Sequence, residues 1–181
     1  RCSSDLHGDP DLIQDEPLQD VNVILGDPGA ETGWGGYFSF GNNFLTSKYA
    51  DSNQALAFVI NVRLIDRMKL SLLSALVHEA MHMANAYQRT VKRGLRHESW
   101  LEETTALMAE DIVVAGLLKN SAGTPYNDIS NSRIPHYMSF TGSFGYIGPN
   151  WGLGTYAAGG SFGAFLNRRY GIGLFKQLQD V

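Results

Sequence analysis

The segment Leu70-Ser71-Leu72-Leu73-Ser74-Ala75-Leu76-Val77-His78-Glu79-Ala80-Met81-His82-Met83-Ala84-Asn85-Ala86-Tyr87 carries one helical period from end to end. Leu72, Leu73, Leu76, Val77, Ala80, Met81, Ala84 and Tyr87 recur at i, i+3/i+4, the apolar stripe of an amphipathic helix, and Gly94 stops the run. Upstream the pattern is that of strands. Val21 to Leu25 is β-branched and closes on the turn residues Gly26-Asp27-Pro28-Gly29. Tyr37-Phe38-Ser39-Phe40 lies between Gly35-Gly36 and Gly41-Asn42, and Leu56 to Val62 supplies a third strand. Downstream, a second helix runs from Ser99 to about Asn120, a Gly- and Pro-rich loop spans 121–155, a third helix lies between Tyr156 and Arg169, and a fourth between Ile172 and Val181. Strands first and helices later predict an α+β domain.

Composition bounds the function. The chain has 181 residues, 44% hydrophobic and 18% charged, enough to bury a core. A net charge of −4 argues against nucleic acid as the main partner, and no apolar run reaches the ~18 residues of a membrane span. The single cysteine, Cys2, excludes an intramolecular disulfide; such usage suits an exported bacterial protein and equally a cytosolic one. A cleaved export signal or proteolytic trimming would leave the start Arg1-Cys2-Ser3, and secretion or the cell surface is the expected location. Asp5, Asp9, Asp11, Asp15, Glu16 and Asp20, with Pro10 and Pro17, make residues 1–20 a solvated acidic arm that lacks calcium-loop spacing. Residues 21–181 form the folded domain. The Gly-rich loop has no phosphate-cradle spacing.

The chemistry lies in His78-Glu79-Ala80-Met81-His82. Residues four apart on a helix stand one above the other, so both imidazoles reach a single ion, and zinc suits two neutral nitrogens. Glu79 stands about 100° round from His78, placed to hydrogen-bond a water without being a ligand. Chance produces this pattern in well under ~1% of chains this long, so a metal reading is favoured over an ordinary surface pair.

A catalytic zinc needs a third protein ligand and an open position. Asn85 and Gln88 stand where a Gly and a third His would complete the extended motif, which excludes that version. The downstream candidates are His97, Glu98, Glu102, Glu103 and Glu110. Ser99-Trp100-Leu101-Glu102 reads as a capping box, with Glu102 bent back to the Ser99 amide. Neighbouring helical residues diverge by ~100°, so a capping Glu102 leaves Glu103 as the favoured third ligand, with His97 and Glu102 as alternatives.

His78-Glu79-x-x-His82, followed by Trp100-Leu101-Glu102-Glu103-Thr104-Thr105-Ala106-Leu107-Met108-Ala109-Glu110, resembles the gluzincin zinc metallopeptidases, and in texture the hyicolysin-like neutral peptidases. The Trp-Leu-x-Glu pattern is also similar to the aminopeptidase N group, whose third zinc ligand then falls on Glu103. Glu102 replaces that group's Asn and Thr104 its Gly. Leu107 stands where thermolysin-type enzymes place an Asp that supports a ligand; Glu110, Asp111 and Asn85 are candidates for that supporting role. Tyr156-Ala157-Ala158-Gly159 looks like the start of the helix that supplies a catalytic Tyr in aminopeptidase N relatives, with His136 and Tyr137 as rivals.

The resemblance implies a zincin-like fold and a zinc-dependent peptidase, acting on peptide or protein substrates. His78, His82 and Glu103 would hold Zn2+, Glu79 would act as general base and Tyr156 as oxyanion donor. Gly35 to Phe40 is a candidate sheet edge for an extended substrate. No residues resemble an amine anchor, so endopeptidase action is expected. The alternative is a zincin-like binding or adhesion module that keeps a metal without turnover. Peptidases of this kind are usually longer, so truncation at the C-terminal end is also expected.

Overall fold

The structure, a computed structural model, describes residues 20–29, 34–63, 65, 69–117, 135, 138 and 153–180. The acidic arm up to residue 19, Cys2, His136 and Tyr137 lie outside the described residues. The chain divides into two compact units, Arg1–Arg96 and His97–Val181.

The first unit holds a three-stranded mixed sheet and the first long helix. Its strands are β1 (Asn22–Gly26), β2 (Gly36–Phe38) and β3 (Ala57–Asn61), in the spatial order β1-β3-β2. β1 runs parallel to β3 with Val23 opposite Phe58, and β2 runs antiparallel to it with Tyr37 opposite Val59. β3 is buried along its whole length, as its unbroken Ala57-Phe58-Val59-Ile60 run requires of a central strand. The expected strand at Tyr37–Phe40 ends at Phe38, because Phe40–Asn43 winds into a 3-10 turn. Asn61 ties the approach to β2. Its Nδ2 donates to the Trp34 carbonyl at 2.9 Å, and its backbone N–H donates to Gly35 at 3.0 Å.

Helix α1 (Lys69–Asn85) packs on β2 and β3. It passes directly into a π-helical turn, Ala86–Val91. Gly94 then ends the run as the sequence predicts. With φ +66°, its N–H bonds to Thr90 O and the next N–H, from Leu95, reaches back to Arg89 O. The Gly94–Thr90 bond is that of an αL helix cap, which needs the left-handed conformation glycine adopts without strain.

Gly36 explains why the approach to β2 is glycine-rich. A Cβ there would stand 2.8 Å from the Val59 carbonyl oxygen, 2.9 Å from Ile60 Cδ1 and 3.2 Å from Glu79 Cγ. Backbone cannot yield as a side-chain tip does. Gly36→Ala is therefore expected to destabilise the protein by about 1–3 kcal/mol, the usual range for overpacking. Chemical denaturation measures this directly, and an unchanged midpoint would show that β2 can move away from its neighbours.

The second unit is helical: α2 (Ser99–Leu117), α3 (Leu153–Tyr170) and α4 (Gly173–Asp180). α3 packs against α2 and α4 against α3. The α2–α3 approach is close. A Cβ on Gly159 would touch Leu107 and Thr104, and one on Gly163 would collide with Met108. Ala106, Leu107, Met108, Ala109, Val114 and Ala157 form the apolar core of this unit. No described helix is long and apolar enough to cross a membrane. The mixed sheet and the helices that follow it bear out an α+β class.

Candidate metal centre

The described side chains of α1 are half-buried, with two exceptions, and both exceptions are polar: Glu79 and Asn85. Buried polar groups inside an amphipathic helix are the informative departure, since apolar residues normally take those places. His78 and His82 fall one turn apart on one face, with ring centroids 4.7 Å apart and planes crossing at 78°. Two imidazoles so close, both half-buried, present nitrogens that a single small cation would draw together. Glu79 is 6% exposed and packs where β2 crosses α1 at Gly36. The helix sets Glu79 about 100° round from His78, with its Cγ against Gly36 of β2.

Glu103 belongs to the second unit, in the second turn of α2, and is half-buried. The helix start differs by one residue from the predicted capping box. The N–H groups of Leu101 and Glu102 both donate to the Glu98 carbonyl, at 2.9 and 3.0 Å. Glu98, whose C=O accepts the first intrahelical bond, is therefore the cap residue and Ser99 the first helical one. Glu102 has a different partner from the one expected. Its Oε2 lies 3.0 Å from Nδ1 of His97, while His97 Nε2 lies 3.2 Å from the carbonyl oxygen of Leu178. Both ring nitrogens of His97 are committed, which removes it from the candidate ligands.

The residues after Glu103 are held by their own hydroxyls. Thr104 Oγ1 donates to Trp100 O at 2.7 Å and Thr105 Oγ1 to Glu102 O at 2.9 Å. Leu107 is buried in the helix crossing opposite Gly159, which gives a packing reason for an apolar residue at this position. Glu110 is buried one further turn along and Asp111 is half-buried.

Tyr156 is half-buried in the first turn of α3, which begins at Leu153, earlier than the sequence pattern suggests. It precedes Gly159 by three residues, so it shares the face of α3 that meets α2.

Two features escaped sequence reasoning. The π-helical turn has no signal in the periodicity, yet it begins at the residue after buried Asn85 and four residues beyond His82. Such widened turns recur at functional sites. The His97 contacts were equally hidden, because 81 residues separate the ring from Leu178.

No curated protein and no solved structure shows significant similarity to the chain. A family model described as Peptidase M30, however, matches residues 7–180. With nearly its whole length covered, the chain belongs to the Peptidase M30 family, and so to the metallopeptidases.

Proposed function

We propose that the chain is a zinc-dependent endopeptidase of gluzincin type, in which His78, His82 and Glu103 hold one ion, Glu79 is the general base and Tyr156 the oxyanion donor. The observation that carries this reading is the pair of imidazoles on one face of α1, with a buried carboxylate between them in sequence. Two nitrogens and a carboxylate oxygen are a donor set that could hold a metal ion and that suits zinc. The family match favours turnover over a module that binds without hydrolysing.

When bound, the ion supplies Lewis acidity, polarising the scissile carbonyl and acidifying water. The chain's own residues do the rest. A Glu79 carboxylate oxygen takes the proton of the attacking water and later delivers it to the departing amine nitrogen. The Tyr156 hydroxyl donates a hydrogen bond to the substrate oxygen as negative charge gathers there. β2 lies at the end of the strand order, and its outer edge pairs with no strand among the described residues. An extended peptide can add to such an edge through main-chain hydrogen bonds, without a free terminus to anchor it. That supports internal cleavage.

Incubation with fluorogenic peptides blocked at both ends tests the proposal. Hydrolysis is expected, with loss on chelation and recovery on zinc addition, and zinc should also raise the unfolding temperature by binding the native state. Tyr156→Phe should lower kcat by ~10²–10³ without loss of zinc. Absence of hydrolysis at full zinc occupancy would sink the enzymatic reading, and full activity in Tyr156→Phe would remove Tyr156 from it.

A further inference from the structure

His97 is not part of the proposed chemistry, yet its side chain is only 2% exposed. On one side it meets the Glu102 carboxylate at 3.0 Å, and on the other the Leu178 carbonyl at 3.2 Å. Both partners are oxygens that accept hydrogen bonds, and the ring lies within hydrogen-bond distance of each. Leu178 lies in the last turn of α4, where carbonyls have no intrahelical donor and the helix dipole gathers negative charge. The ring thus joins the electronegative end of α4 to a carboxylate at the start of α2.

The position of that carboxylate matters. Glu102 precedes Glu103, and both stand near the N-terminal end of α2, where helices fray first. The hydroxyls of Thr104 and Thr105 hold the turn on one side of Glu103. On the other side, the tie runs through Glu102 to His97, and from there to α4.

We infer that His97 is a positioning residue for Glu103: by bridging Glu102 and the Leu178 carbonyl, it fixes the turn from which the proposed third ligand projects. The inference rests on the proposed metal site and adds to it a role for the C-terminal helix. Groups bonded directly to a metal ligand command ~10–100-fold in metal affinity, which sets the scale for a brace on the ligand's helical neighbour.

The experiment measures zinc affinity of the full chain by competition with a chromogenic chelator, for wild type, His97→Ala, Glu102→Ala and the double variant. Each single variant is expected to bind zinc ~10–100-fold more weakly. The double variant should lose no more than the worse of the two, because both changes break one bridge. Thermal unfolding without zinc is measured on the same variants: weaker zinc binding at an unchanged zinc-free unfolding temperature is expected, whereas general destabilisation would lower that temperature and be offset by zinc binding the native state. Should His97→Ala fail to fold, Glu102→Ala carries the test, since that side chain is 27% exposed and sits outside the core. Folded variants with undiminished zinc affinity overturn the inference alone. A wild-type chain that takes up no zinc overturns the metal site and the inference together.

Discussion

Glu79→Gln is expected to reduce peptide hydrolysis by about 10²–10⁴-fold, the range set by loss of a positioned general base, while zinc content stays stoichiometric. The substitution keeps the shape of the side chain and its capacity to hydrogen-bond. It removes the negative charge, and with it the ability to accept and return a proton. The surroundings make this a clean change: Glu79 is buried where Gly36 brings β2 across α1, and an isosteric amide fits the same space. Zinc quantification, thermal unfolding and steady-state kinetics on the same preparation separate the possible outcomes. Wild-type turnover in this variant would end the proton-transfer role, whatever the metal does.

Glu103→Ala should abolish zinc binding at ordinary concentrations, with an affinity loss larger than the ~10–100-fold that a supporting residue commands. A catalytic zinc with three protein ligands has little redundancy, so activity should vanish with the metal. The same loss is expected of His78→Ala and His82→Ala, because each removes one of two nitrogens that the helix places a turn apart. The comparison with His97→Ala is informative: a ligand and its brace should differ in size of effect. Stoichiometric zinc in folded Glu103→Ala would move the third ligand elsewhere, and His97 has no ring nitrogen left to offer.

Features that depend on neighbours in sequence were legible before the fold was known. The period of α1, the shared face of His78 and His82, and the helix stop at Gly94 all follow from short-range geometry, in which side chains three or four apart meet and only glycine relaxes into a left-handed turn. The third strand was legible from the apolar residues of Leu56 to Val62, while its place at the centre of the sheet, buried throughout, came from the pairing with β1 and β2. The helix at Ser99 starts one residue earlier than the capping box predicts: Glu102 meets the ring of His97, five residues back, and that ring is itself held from the far side by Leu178, 81 residues on. A local motif loses when a buried partner offers a charged carboxylate a stronger hydrogen bond.

Sequence alone was enough for the α+β class, the strand and helix order, and the chemical character of the residues on α1, because periodicity and residue type act over a few positions. Long-range packing had to settle the rest. It placed β2 at the sheet edge beside β3, left no room for a side chain at Gly36, and closed His97 between Glu102 and Leu178. Each of these depends on which surfaces meet across tens of residues, and no local propensity encodes that choice.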